Sequence, residues 1–419
     1  MKAPRHRTDG NQRMNRTRIK FSCLLIAGLL ALPAQAAVTL TAAVDAAWQR
    51  AVAARAAIGE QRTAEAVADS AGRWWAEPPS IALSHRDDRW HDDLGKRESG
   101  VDVSLPLWLP GQRTAHGRAA AAGLAQAEAA QRAARWRIAG EVREGAWRLA
   151  ALQAEAAQMA AAADSLKRLT ADVRRRVEAG ELPRTDLLAA QAEELAARSR
   201  LGSAELQWRE AGLQWRTLTG LDRHPPAAAL AETLPADADP AVGDDHPVLQ
   251  EVAGEAASAA RQLDFARSSR SAPPELIVGW RREFGGHGIA GENSVVVGVR
   301  LPLGTEDRNK PLLARAEAAA DVARTREQSQ REQVAATVNI ARDSLSLAET
   351  QAAAASEQAR LLRERSDLLE RAFAAGELAL PELLRALAAA SEVDAAAARQ
   401  RALLGLARAR LLQSLGQHP

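Results

Sequence analysis

Between Val334 and Phe373, small or apolar residues return at alternating steps of four and three, through Val338, Ala341, Leu345, Ala348, Ala352, Ala355, Ala359, Leu362, Ser366 and Leu369. Such a heptad stripe predicts a long helix that buries one narrow face against another helix. A step back of 196 residues meets the same stripe in Ile138, Val142, Gly145, Leu149, Leu152, Ala156, Met159, Ala163, Leu166, Thr170, Val173 and Val177. The two helices are therefore expected in equivalent surroundings. The first runs over 111–179, roughly 100 Å at about 1.5 Å per residue. A compact domain has no use for that length, whereas a coiled coil, a spacer or a tunnel wall does.

Elsewhere the period is two. Ile81 and Leu83 alternate with Ala82 and Ser84, and Val101, Val103 and Leu105 with Asp102 and Ser104. Leu276, Val278 and Trp280 alternate with Ile277, Gly279 and Arg281; Val295, Val297, Val299 and Leu301 alternate with Val296, Gly298 and Arg300. One apolar face and one small or charged face suit a barrel strand with lipid outside and water inside. Trp90, Trp108 and Trp280 are expected near strand ends, at the membrane interfaces. Four strands cannot close a barrel, and an open edge in lipid leaves backbone groups unpaired at several kcal/mol each. Other copies of the chain must complete the barrel, and three copies would supply twelve strands.

The offset of 196 holds without a gap from Pro106 to Gly220: "SLPL" at Ser104 faces "RLPL" at Arg300, Gly180 faces Gly376, and Gly220 faces Gly416. The chain reads as two copies of helix, strand pair, long helix, tight turn and shorter helix. The first copy covers 37–220, with strands at 80–107, the long helix at 111–179 and a returning helix at 184–219. The second covers 246–417, with strands at 275–303 and helices at 309–375 and 381–416. A linker rich in Pro, Ala and Asp, 221–245, joins them. The two tight turns read "AGELP" from Ala179 and "AGELA" from Ala375. Gly180 and Gly376 suit the left-handed conformation that ends a helix. Asp186 and Glu382 then place a carboxylate in the first turn of each returning helix, where the backbone dipole favours it. Each turn is the tip of a helical hairpin.

Composition changes the picture at the N-terminus. The 419 residues are 47% hydrophobic but only 3% aromatic, and the 26% that are charged are spread finely, as on solvated helix faces. Residues 1–36 combine basic Arg16, Arg18 and Lys20 with an apolar run from Phe21 to Leu32 and the motif Ala34-Gln35-Ala36. That is the pattern of a secretory signal peptide, with a run too short to span a bilayer. Translation from Met1 or from Met14 leaves this reading unchanged. Removing the segment takes away seven Lys and Arg and also Asp9, so 55 basic and 53 acidic residues become 48 and 52, a net of −4. The basic balance that would suit a nucleic-acid partner goes with it. So does Cys23, the single cysteine, which leaves no disulfide and no thiol for lipid attachment. The expectation is an envelope or secreted protein of a diderm bacterium, with no nucleic-acid partner.

Candidate chemistry is sparse. "HRDDRWHDD" from His85 gathers His85, Asp87, Asp88, His91, Asp92 and Asp93, ligand types for a divalent transition metal. A solvated turn between two strands explains the same residues. The other mature histidines, His116, His224, His246, His287 and His418, show no ligand spacing. No Gly-x-Ser-x-Gly turn, phosphate-cradling Gly loop or Cys–His pairing occurs, so neither an enzyme nor a cofactor is expected. "GGHGIAG" over 285–291 lies between two strands and reads as an external loop.

With its two-fold repeat and the tip patterns "RRVEAGELPRTDLL" and "ERAFAAGELALPELL", the chain resembles the TolC-type outer-membrane efflux proteins, nearest to heavy-metal cation channels of the CzcC and CusC type. The likeness covers about Ala37 to Gln417. It implies a mixed α+β membrane protein with an internally duplicated TolC-like fold. A long α-helical coiled-coil barrel would join a trimeric 12-stranded transmembrane β-barrel to which each subunit gives four strands, with 221–245 in a belt around the tunnel. It further implies a homotrimer in outer-membrane lipid with its helical tunnel in the periplasm, a periplasmic adaptor (membrane fusion) protein and an inner-membrane RND-type transporter as partners. Adaptor contacts carry over onto Gly180, Glu181, Leu182, Asp186, Gly376, Glu377, Leu378 and Glu382, and a periplasmic gate onto Glu382 and Arg385. Arg385 stands where some members have a second acid, which allows a Glu–Arg latch between subunits in place of a double-acid filter. Asp186 and Glu382 are equally explained as helix-start residues. The implied role is a passive exit duct for metal cations. Drug efflux or type I protein secretion on the same fold, and a periplasmic coiled-coil scaffold without a channel, are the alternatives.

Overall fold

The computed structural model describes residues 38–91, 93–232, 243–269, 271–286, 288–303 and 306–419. The leader segment, Asp92, His287 and linker residues 233–242 lie outside them. The chain begins with α1 (Leu40–Arg50), α2 (Val52–Ala71), β1 (Ser80–Asp87), β2 (Lys96–Pro106), α3 (Gln112–Glu178) and α4 (Arg184–Thr219). After a 3-10 turn at Ala227–Leu230 come α5 (Pro247–Ser268), β3 (Glu275–Gly285), β4 (Glu292–Arg300), α6 (Glu306–Ala374) and α7 (Leu380–Ser414).

Where the sequence predicts one opening helix, the structure has two, because Ala51 is extended (φ −67°, ψ 135°). The break lets α1 lie against both α3 and α4 while α2 follows α3 alone. Its counterpart in the second repeat, α5, is continuous and is opened by His246, whose ring accepts a hydrogen bond from the Val248 amide at 3.2 Å.

The heptad seam explains how the helices pack. All twelve seam positions of α3, and all twelve of α6, are buried or half-buried. The elements that meet form rows. Around the first halves of the long helices the order is α2, α3, α5, α6; around the second halves it is α4, α3, α7, α6. Apart from α1, which lies over α3 and α4, and the tips, where α4 also meets α7, both rows are one helix deep. Among the described residues α6 does not pack along α2 or α4, so each row has two open ends.

The core lies along α3. Near mid-height Val142, Ala146 and Leu149 pack with Ala43, Ala47, Trp215 and Leu230. Within it Arg143, 2% exposed, pairs with Glu232 at 2.6 Å. The same guanidinium donates to the Gln413 side chain and, at 2.9 Å, to the Gln417 carbonyl. A buried guanidinium is stable only when its donors are used in this way. It ties the end of α7 and the segment after the 3-10 turn to the middle of α3.

Candidate functional site

The strands form one antiparallel sheet in the order β1-β2-β3-β4. Register decides what the two faces carry, because successive side chains point to opposite sides. Ile81, Val103, Val278 and Val297 lie in one row across all four strands, and Leu83, Val101, Trp280 and Val295 in the next. Leu105, Leu276 and Val299 make a third row on the same face. This face is open: Ile81 is 70% exposed, Leu83 78% and Val297 68%. The opposite face carries Asp102, the ion pair Arg281–Glu98 at 2.9 Å, and Glu275, which binds Arg300 at 2.9 Å and the Ser104 hydroxyl at 2.6 Å. Trp280 does not sit at a strand end as the sequence suggested. It lies mid-strand in the last apolar row, and the row above it is His85, Ser99, Arg282 and Asn293. Trp108 does lie just past the end of β2, its indole N–H donating to the Arg73 carbonyl at 3.2 Å.

Several of the residues proposed as metal ligands serve the β1–β2 turn. Asp87 accepts from the Arg89 amide at 3.0 Å and from Arg89 Nε at 2.6 Å. Asp88 Oδ2 accepts from the amides of Leu94 and Lys96, both at 3.1 Å. His85 Nδ1 lies 3.0 Å from the Ser99 hydroxyl, and the His91 amide donates to the Asp88 carbonyl. Among the described residues no three His, Cys, Asp or Glu side chains group as a metal site. The residues do what a tight turn requires of polar side chains.

At the far end, the two hairpin tips close alike. Gly180 has φ +79° and Gly376 φ +78°. The Glu181 amide reaches back to the Arg176 carbonyl at 2.8 Å and the Glu377 amide to the Ala372 carbonyl at 2.9 Å. This six-to-one bond, with the Gly amide bonding one turn in, uses up carbonyls that a helix end leaves open. Leu182 and Leu378 are half-buried against a shared tip core of Leu166, Val173, Ala190, Phe373, Leu380 and Leu383. They hold the tips together. Glu181, Glu377, Glu382 and Arg385 are exposed, and Asp186 is partly so. Asp186 and Glu382 sit in the first turns of α4 and α7. Within the chain Arg385 Nε donates to the Pro381 carbonyl at 3.2 Å and not to Glu382. No periodicity or motif points to Arg176, whose guanidinium stacks on Phe373, or to the Arg143–Glu232 pair. Both are contacts between segments far apart in the chain.

Residues 42–221 match the family model described as outer membrane efflux protein. No curated protein sequence matches the chain. Solved structures of similar fold include the outer membrane protein VceC of Vibrio cholerae, with TM-score 0.71, 16% identity, and coverage of 90% of this chain and 96% of that one. They also include CusC, with TM-score 0.76, 15% identity and coverage of 90% and 92%. The Campylobacter jejuni CmeC outer membrane channel has TM-score 0.70 and 14% identity, with coverage of 97% and 94%. The fold throughout is that of TolC-like channels.

Proposed function

We propose that this chain, with an outer membrane efflux protein module over residues 42–221 and a TolC-like fold along its length, is the outer-membrane exit duct of a tripartite efflux system. It works as a homotrimer, with its sheet in the outer membrane and its long helices lining a tunnel in the periplasm. The observation that carries the reading is the sheet: four strands in register, one face aliphatic and exposed, with β1 and β4 unpaired at its edges. An aliphatic face of this kind belongs in lipid, and lipid does not tolerate open edges.

The helical layer supports the same assembly. At its open ends α4 exposes Leu188, Leu195, Leu206 and Leu213, and α6 exposes Ile340, Leu347, Leu361 and Leu368. Both sets keep heptad spacing. Within the chain α7 meets α3 through Arg399–Glu155 and Arg410–Glu144. The repeat makes α4 the counterpart of α7 and α6 the counterpart of α3, so the same register between adjoining copies sets Ser203 opposite Gln351 and Gln214 opposite Ile340. It also brings Leu188, Leu195, Leu206 and Leu213 within two residues of the level of Leu368, Leu361, Leu347 and Ile340, about 3 Å along the axis. A head-to-tail contact of this kind closes into a ring.

The tips face the partners. Gly180, Glu181, Leu182 and Asp186, with Gly376, Glu377, Leu378 and Glu382, form the surface offered to a periplasmic adaptor, behind which an RND-type pump supplies the energy. Glu382 and Arg385, exposed and unpaired with each other within the chain, latch to neighbouring copies at the gate. The cargo proposed is heavy-metal cations, following the tip patterns; drugs or a secreted protein on the same fold are the alternative.

The reading is tested on purified outer-membrane material. Heat-modifiable trimer migration and steady conductance in planar bilayers are expected, and a monomer that conducts nothing would overturn the channel. Growth of a deletion strain across metals and drugs separates the cargoes, and unchanged metal tolerance would remove the metal assignment.

A further inference from the structure

The two faces of the sheet sort charge at its outer end, next to the turns and away from the helices. Directly above the row of Leu83, Val101, Trp280 and Val295, the apolar face turns polar with His85, Ser99, Arg282 and Asn293. Each of these side chains can donate a hydrogen bond. The next row on that face adds Arg97 and Asp87, and Asp87 also binds Arg89. Three arginines thus accompany one acid. On the opposite face at this height Arg86, Glu98, Glu283 and Glu292 are aligned in one row, and Arg281 of the adjoining row pairs with Glu98.

The outward arginines are also positioned. Asp87 lies 2.6 Å from Arg89 and 3.7 Å from Arg97, holding the two guanidinium groups side by side while they remain 61% and 53% exposed. Arg282, exposed and with no acidic partner among the described residues, stacks 4.9 Å from the centre of the Phe284 ring. Below them the aliphatic band from Val295 to Leu301 spans six residue steps along β4 and its continuation, roughly 20 Å at about 3.4 Å per residue. That is shorter than the apolar belt of about 25 Å usual for such barrels. The arginine rows therefore meet the membrane where headgroups begin.

We propose that Arg282, Arg97 and Arg89, with the donors of His85 and Ser99, form a binding site for the phosphate of a phosphorylated lipid headgroup in the outer leaflet. The inference rests on the channel reading, which fixes the apolar face as the lipid face. Guanidinium is the side chain suited to phosphate because its N–H fork matches two oxygens at once.

The test compares purified trimers by native mass spectrometry after exchange into bisphosphorylated lipid A, dephosphorylated lipid A or phosphatidylglycerol. Wild type retains the bisphosphorylated lipid, and the R97Q/R282Q variant loses it by at least about tenfold, as expected for roughly 1.4 kcal/mol of lost binding. R282K, which keeps the charge but not the fork, loses part of it, and R281Q, which changes the neighbouring side chain on the lumen face, changes nothing. Retention that is equal in R97Q/R282Q, independent of phosphate, or displaced equally well by inorganic phosphate overturns the site. In each of these cases trimer migration and conductance persist, which separates the failure from that of the channel. Wild-type protein that neither trimerises nor conducts removes the channel reading, and the site falls with it.

Discussion

The guanidinium of Arg176, at the foot of α3, lies 5.2 Å from the centre of the Phe373 ring at the foot of α6. Phe373 is 5% exposed, in a cluster to which α3, α4, α6 and α7 all contribute. The two hairpins are therefore joined at their tips by one aromatic side chain, whose counterpart in the first repeat is the smaller Val177. Phe373→Ala should cost about 3–5 kcal/mol of local stability. Hydrogen exchange across 163–201 should accelerate in that variant as much as exchange in α7. Exchange that changes only in α7 would mean that the tips do not share a core.

Glycines at the tips and in the wall should respond differently to a methyl group. A Cβ on Gly180 or Gly376 would meet nothing within 4 Å, so Gly180→Ala carries only the strain of φ +79°, about 1–2 kcal/mol. Gly405→Ala would place Cβ 2.1 Å from the Trp147 ring, inside the packed wall. Overpacking there should cost about 1–3 kcal/mol and displace the indole. Thermal melting followed together with tryptophan fluorescence distinguishes the two, since only Gly405→Ala should shift the emission.

Pairing between copies can be read covalently. In a Cys23→Ser background, Leu195→Cys combined with Leu361→Cys should give dimers and trimers with a short bis-maleimide, and either change alone should give neither. A product cross-linked only within one chain would refute the register carried over from Arg399–Glu155.

Stability should fall on mild acidification. Burial lowers the pKa of His246 below its ordinary 6.5, against the opposing pull of Asp245 and the Ser414 backbone. Burial lowers that of His418 too, helped by Arg135 and Arg143. The folded state thus favours the neutral rings, and the unfolded chain takes up protons first. The stabilisation is complete above about pH 6.5 and declines as pH falls toward the lowered values. A melting temperature that drops between pH 7 and 5, less steeply in His246→Asn, is expected. Asn can still accept the Val248 amide at the helix start but does not titrate. Identical pH profiles would contradict this.

Periodicity made much of the architecture legible. The steps of four and three in Val334 to Phe373 mark a face that the structure buries, and the alternation around Val101 and Val297 marks a face that the structure leaves open. Both signals are local, because a helix or strand repeats its own geometry along the chain. What was not legible depends on distant partners. The break at Ala51 has no Pro or Gly to announce it, since it follows from what α1 and α2 pack against. Arg143 looks like any helix-surface arginine until Glu232 and Gln413 close around it. The acids and histidines after His85 look like metal ligands by type, but the amides of Leu94 and Lys96 take up Asp88 in the fold. Leu182 and Leu378 read as exposed tip residues because their sequence neighbours are Glu, Pro and Ala, whereas the core shared by the two hairpins half-buries them.

A row one helix deep has no second layer of packing behind it. In the assembled duct every seam between neighbouring helices would be the whole seal between the stream inside and the fluid outside. Hollowing such a seam should make the duct leak sideways before it unfolds.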